Sequence, residues 1–420
     1  MKTYPETKTT GLDWLPEIPA HWEVKKLKYD VQEIATTTDS KAPDEIYIAL
    51  ENVESRTGKF IEPREAIEFE SNVKRFCAND VLFGRLRPYL AKVLLAPCNG
   101  VCVGEFLVLR SKRIDPRFLQ LRLLAPDAIA LINSSTYGAR MPRASWDFIG
   151  NTKFAIPPFP EQRAIVSYLE AKGREIESYI AAKTALLERL REWQAARIAA
   201  LVTKGLDPNA PMKYSGLDWL GDIPAHWEVK KLGHLTELIN GCAFKPGDWR
   251  SEGTPIIRIQ NLNGGTDYNY AAPGLMPEKY IVRKGDLLFS WSGNVGTSFG
   301  PFIWEHDFEG YLNQHIFKLH NYSLPTKFFY YLLKAATSRI EDQSHGIIGL
   351  VHITKPDFNR IKVSIPPLSE QAAIVSQIES DVAIVNAARE RATQEIGLAR
   401  ELWASLVAEV VTGKRDVSSD

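Results

Sequence analysis

The sequence predicts an α+β protein: two pseudo-repeated mixed α/β domains separated by a pair of long antiparallel coiled-coil helices. Three observations predict this. The chain repeats itself, each repeat closes on a stretch with helical apolar spacing, and the segments between hold short strand-like runs bounded by turns.

The repetition is read directly. Gly11-Leu12-Asp13-Trp14-Leu15 leads into Ile18-Pro19-Ala20-His21-Trp22-Glu23-Val24-Lys25-Lys26-Leu27, and the same words return at Gly216–Leu220 and Ile223–Leu232. Ile156-Pro157-Pro158, Glu161-Gln162 and Ala164-Ile165-Val166-Ser167 return as Ile365-Pro366-Pro367, Glu370-Gln371 and Ala373-Ile374-Val375-Ser376. A long repeat used twice argues for two related domains rather than a solenoid. The expected boundaries are 1–155 for the first domain with its leading segment, and 156–212 for a central long helix and linker. A second domain over 213–364 and a C-terminal long helix over 365–420 follow.

Within each copy the leading segment (11–29 and 216–234) carries Trp, Pro and the Val-Lys-Lys-Leu run. In the middle, Ile46–Leu50 and Pro255–Ile259 read as strands, and Asp80–Phe83 and Asp286–Phe289 as matching buried strands. Lys153–Ile156 and Lys362–Ile365 read as last strands, stopped by Pro-Pro because proline cannot donate to a ladder. Ser369 is the expected N-cap of the helix that follows, with Glu370 in its first turn. In that helix Val375, Ile378, Val382, Val385, Ala392, Ile396, Ala399, Trp403, Leu406 and Val410 follow three- and four-residue steps, interrupted by Arg389. The first copy is looser: Ile165, Leu169, Ile176, Ile180, Leu187, Leu190 and Leu201 fit, while Lys183 and Gln194 do not. Such seams should pack on each other, and antiparallel pairing would set the two middle domains at opposite ends.

Composition narrows the function. The chain has 420 residues, 45% hydrophobic and 24% charged, with no apolar run near the ~20 residues of a membrane span and no signal-peptide core at its start. Four cysteines are too few for a disulfide framework, so a reducing cytoplasm is the expected setting. The balance of 51 basic against 51 acidic residues means that any contact with phosphates rests on local clustering or on partner subunits.

The Asp-Trp-Leu…Ile-Pro-Ala-His-Trp-Glu opening, the Ile-Pro-Pro…Glu-Gln…Ile-Val helix start and the Thr203-Lys204-Gly205-Leu206-Asp207 exit resemble the DNA-specificity subunits of type I restriction-modification systems. The resemblance covers the whole chain, with several motifs in the same order in both halves. It implies two target-recognition domains, each reading one part of a split site on double-stranded DNA. It implies two methyltransferase subunits docked on the helical regions, and restriction subunits in the full complex. S-adenosylmethionine, ATP and Mg would be bound by those partners, and this chain would carry no cofactor, metal or catalytic residue. Independently of the family, the halves share scaffold words but differ in most middle residues. Unlike reading surfaces suit an asymmetric site, whereas identical halves would favour a palindrome.

Candidate DNA contacts follow. Gly84-Arg85-Leu86-Arg87-Pro88-Tyr89 with Lys92 trails a buried strand, and Lys74 and Arg75 add charge against Asp80. Arginine grips guanine bidentately or holds phosphate, and the resemblance places this loop in a recognition domain, near DNA. Solvated surface arginines are the plainer alternative. The second copy has Ser290-Trp291-Ser292-Gly293-Asn294 there, so Ser290, Ser292 and Asn294 either read by hydrogen bonds or form a simple Gly-rich turn. Arg140 and Arg143 in one later loop, and His345 in its counterpart, are further candidates. Weaker ones are Asn52 and Arg56, and Arg258, Gln260 and Asn261, since Asn and Gln suit adenine but also cap turns. Lys25, Lys26, Lys230 and Lys231 fit scaffold packing or partner docking better than base reading, and Trp22 and Trp227 fit a core better than a stacking platform.

Enzymatic readings lack their residues. Ile156 and Ile365 stand where an amino-methyltransferase needs Asn or Asp before Pro-Pro, and no Gly-x4-Gly-Lys-Ser/Thr loop occurs. Pro126-Asp127 has only the distant Glu170-Ala171-Lys172, a poor nuclease set, and Cys98-x3-Cys102 lacks a second ligand pair. A non-catalytic coiled-coil scaffold spacing two protein-binding domains is the alternative that composition leaves open.

Overall fold

A computed structural model describes residues 3–43, 45–62, 72–136, 141–294, 296–342, 345–347 and 350–417. The chain divides into two compact units, Met1–Thr184 with Thr393–Asp420, and Ala185–Ala392. No helix among the described residues is long and apolar enough to cross a membrane.

In the first unit the leading strand Glu23–Lys26 pairs antiparallel with the closing strand Lys153–Ile156. Between them lie two four-stranded sheets. One runs in the order Val31–Ile34, Phe106–Ser111, Val81–Gly84, Val93–Leu95, and is antiparallel throughout. The other runs Thr37–Thr38, Val73–Phe76, Gly100–Cys102, Ile46–Ile48, its last pair parallel. The strand Val81–Gly84 has no polar side chain because both its faces are covered. Leu82 joins Ile48, Phe76 and Phe106 in one core, while Val81 and Phe83 join helix residues such as Phe118 and Leu121 in another. Successive side chains pointing to opposite faces account for that split.

The second unit repeats the plan. Glu228–Lys231 pairs with Lys362–Ile365, and the antiparallel sheet runs Glu237–Asn240, Ile316–His320, Leu287–Ser290, Gly300–Ile303. A second sheet again contains a parallel pair, Thr254–Ile257 with Gly310–Leu312. The two strands read as Ile46–Leu50 and Pro255–Ile259 are shorter than expected, at Ile46–Ile48 and Thr254–Ile257. Each gives way to a helical turn capped by its own asparagine: Asn52 Oδ1 accepts from Ala49 N at 2.9 Å, and Asn261 Oδ1 from Arg258 N at 3.0 Å.

The two long helices span Phe159–Lys204 and Leu368–Val411. Each gives one stretch to each unit, and within each unit the pairing is antiparallel. In the first unit Ile165 and Leu169 pack with Leu406, Val407 and Val410, while further along Tyr179 Oη donates to Glu395 at 3.1 Å. In the second, Leu201 and Val202 pack with Ile374, and Arg197 pairs with Asp381 at 2.9 Å. Lys183 sits on the stripe after all, its ammonium 2.6 Å from Glu395, so an ion pair replaces an apolar contact. Arg389 is exposed because the seam passes through half-buried Ala388 beside it. Ser369 is not the cap: the helix begins at Leu368, and the Pro367 carbonyl accepts from Glu370 N at 3.0 Å.

The recurring Glu-Gln pair has a mechanical role. Glu161 accepts from the indole of fully buried Trp22 (2.9 Å) and from Tyr4 Oη (2.6 Å), and lies 2.7 Å from His21 Nε2. Glu370 does the same for Trp227 (3.0 Å) and His226 (2.6 Å). Gln162 and Gln371 each donate to a Pro-Pro carbonyl, Pro157 and Pro366, at 2.9 Å. Trp22 and Trp227 are therefore core residues, and Lys25 and Lys230 pair locally with Asp30 and Glu228.

Candidate nucleic-acid interface

In the first unit the strand Val81–Gly84 delivers Arg85, Leu86 and Arg87 to one end of the sheet. Arg85 N donates to the Glu105 carbonyl and Ala144 N to the Arg85 carbonyl, both at 2.9 Å, so residues 85, 105 and 144 lie side by side. Leu86 bridges to Arg143. The Arg143 guanidinium holds the Glu105 carboxylate through Nε (3.1 Å) and a terminal nitrogen (2.7 Å), and Arg85 Nε lies 3.9 Å from the same carboxylate. Arg87 is exposed, in the left-handed region at φ 50°, with its N–H on the Pro142 carbonyl at 2.8 Å. A non-glycine residue held at positive φ is uncommon and needs surrounding structure to fix it. Tyr89 is exposed, and Arg56 joins the same loop through its N–H on the Ala91 carbonyl at 3.0 Å.

Other members of the expected basic cluster lie elsewhere or are occupied. Lys92 turns inward, donating to the Leu50 carbonyl at 2.6 Å. Lys74 donates to the Phe106 carbonyl at 2.9 Å and Arg75 pairs with Glu45, both on the other sheet. Asp80 does not face the arginine loop. It is 2% exposed and grips Arg110 of the neighbouring strand (2.6 Å), which raises the Arg110 pKa above its ordinary value. Arg140 lies outside the described residues.

In the second unit Ser290 ends the strand fully buried, its hydroxyl donating to the Ser292 carbonyl at 3.1 Å, which removes it as a base contact. Asn261 is withdrawn too. It is 2% exposed, and its amide donates to the Gly265 and Asp267 carbonyls at 3.0 Å, as a cap must. Asn52, equally buried, matches it in the first unit. Arg258 stays half-buried next to the Asn313 turn, and Gln260 is exposed. Ser292 and exposed Asn294 lie in a small three-stranded sheet, Ser292–Asn294, Leu350–His352, His345–Ile347. There His352 faces both Ser292 and His345 in register; the His345 side chain lies outside the described set.

Three residues at this surface escaped sequence reasoning: Glu105, Trp291 and His315. The Trp291 ring lies 5.2 Å from that of His315 and stacks on Phe317 at 5.8 Å, with its indole donating to the Gln314 carbonyl at 2.9 Å. Trp291 directly follows a matched buried strand, whereas Glu105 and His315 precede strands, Phe106–Ser111 and Ile316–His320, that the repeat had not singled out. Elsewhere, Cys102 is buried, which pushes its thiol up to about 12, and no metal-holding group of His, Cys, Asp or Glu gathers among the described residues.

Residues 224–396 match the family model for the type I restriction modification DNA specificity domain. The type I restriction enzyme MjaVIII specificity subunit of Methanocaldococcus jannaschii is 24% identical over 284 residues, covering 64% of this chain and 64% of that protein. The putative type I restriction enzyme MjaX specificity subunit of the same organism is 25% identical over 396 residues, 87% of each chain. A solved chain, from work on complex assembly and conformational transition of the type I R-M system, superposes with a TM-score of 0.70 at 19% identity. That match covers 94% of this chain and 98% of the other, and speaks for the fold. Residues 224–396 thus match the type I restriction modification DNA specificity domain, and the chain as a whole is similar to type I restriction enzyme specificity subunits.

Proposed function

We propose that this chain is the sequence-reading, non-catalytic subunit of a type I restriction-modification complex, recognising an asymmetric bipartite site with one half-site per unit. Two methyltransferase subunits dock on it and bring S-adenosylmethionine. Restriction subunits, in the full assembly, bring ATP and Mg. Its four unpaired cysteines fit a cytoplasmic setting.

One observation carries the reading. The two units share the strand order of their antiparallel sheets and the buried residues of the central strands, yet at the same sheet end one presents Arg85, Arg87 and Arg143 and the other Trp291, Ser292 and His352. Equal scaffolds with unlike polar ends suit two different base sequences, because base edges are told apart by donor and acceptor pattern. The remaining candidate contacts are Arg85, Arg87, Tyr89, Arg140 and Arg143 in one unit, and Arg258, Ser292, Asn294 and His345 in the other.

Methylome mapping of cells carrying the complete system tests this. A split, non-palindromic motif is expected, and exchanging residues 30–155 for the middle of another family member should change one half only. Methyl transfer by this chain alone, or a motif indifferent to that exchange, defeats the proposal.

A further inference from the structure

Three structurally equivalent positions can be matched between the units through backbone hydrogen bonds alone. In the first, Arg85 N donates to the Glu105 carbonyl and Ala144 N to the Arg85 carbonyl; in the second, Trp291 N donates to the His315 carbonyl (3.1 Å) and Ile353 N to the Trp291 carbonyl (2.9 Å). The matched positions are thus 85 with 291, 105 with 315 and, one residue before 144 and 353, 143 with 352. Just inside them the pairs are Leu82 with Leu288 and Phe83 with Phe289, all buried and unchanged in chemistry. At the three matched positions every pair changes: Arg for Trp, Glu for His, Arg for His.

We infer that position 105 and its counterpart 315 set specificity, with Glu105 acting as the positioning residue for the arginine reading head of the first unit. The inference rests on the proposed function and deepens it. The Glu105 carboxylate takes two N–H groups from Arg143 and has the Arg85 guanidinium at its other edge, with all three side chains about a third exposed or less, at 31%, 31% and 28%. The two-point hold fixes the plane of the Arg143 fork, while Arg85 lies at ion-pair range beside the same carboxylate. Bidentate recognition of guanine O6 and N7 depends on that plane. In the second unit neither arginine is present and no acid is needed. There His315 packs against Trp291, with its Nε2 3.2 Å from the Gln314 side-chain nitrogen, so a neutral ring-and-amide group stands where the first unit has an ion-paired one.

The test uses the complete methyltransferase complex assembled with wild-type, Glu105→Gln, Glu105→Asp and His315→Ala chains, with the methylated motif read on a randomised-site library. Segment exchange of residues 30–155 first assigns the half read by the first unit. Glu105→Gln should cut discrimination at one or more base pairs of that half by about tenfold or more, leaving the other half intact. Glu105→Asp should recover part of it, and His315→Ala should relax only the other half. A lower rate on an unchanged motif, for either position, means a merely structural role and overturns the inference. A wild-type complex that yields no split motif sinks the proposed function itself, and this inference with it.

Discussion

Glu161 shows how much one carboxylate can hold. It is the acceptor for the buried Trp22 indole and for Tyr4, and burial together with that carboxylate raises the Tyr4 pKa. Glu161→Ala should cost about 1–3 kcal/mol, since it leaves a buried donor unsatisfied. Glu161→Gln, which keeps an acceptor oxygen, should cost less. Denaturant unfolding of the complex-free chain measures both, and equal stabilities would show the indole finds another partner. The recurrence of Glu161-Gln162 and Glu370-Gln371 was plain in the sequence, but its purpose was not. The indoles they bind lie more than a hundred residues earlier in the chain, and only folding brings the two together. Asn261 misled for a related reason: an amide that suits adenine also suits a turn, and the turn claimed it. Arg87 is the opposite case, exposed and aimed by a left-handed backbone. Arg87→Ala should weaken DNA binding by the assembled complex. If the arginine holds phosphate, the loss is uniform across sequences and the salt slope falls by about one; if it reads a base, the loss is confined to one position of the motif.

At the level of the element, the long helices were the most legible part, because apolar steps of three and four residues admit few other readings. Their imperfections were not. A lysine on the stripe reads as a break in one strand of sequence, yet Lys183 meets Glu395 from the opposing helix, a contact invisible without the antiparallel register. The stripe also separates apolar residues on one helix by face. Ile378 is fully buried in the core of the second unit, whereas Leu398 on the same helix is 64% exposed. Ile378→Ala should therefore destabilise by about 2–5 kcal/mol, and Leu398→Ala by less than about 0.5 kcal/mol. Chemical denaturation separates them, and similar losses would place Leu398 under cover in solution. The short strands were less readable than the helices: three or four residues buried on both faces show no alternation, so their ends were set by caps such as Asn52 rather than by pattern.

For the molecule as a whole, the duplicated plan gives the proposed function a ruler. If each unit reads one half-site and the helices hold the units apart, as the proposed function requires, helix length sets the spacing between halves. A helix advances about 1.5 Å per residue and duplex DNA about 3.4 Å per base pair, so one heptad matches about three base pairs. Deleting one heptad from the middle of both long helices keeps the apolar stripe in phase, because the stripe repeats on that interval. Such a chain should still fold and still assemble with its methyltransferase. Its methylated motif should keep both half-sequences while the gap between them shrinks by about three base pairs. Deleting four residues from one helix alone puts the two stripes out of step, and that chain should lose stability rather than read a new spacing. A heptad-deleted complex that methylates the original motif with its original gap would mean the helices do not measure the site, and the spacing would have to be sought in the partner subunits.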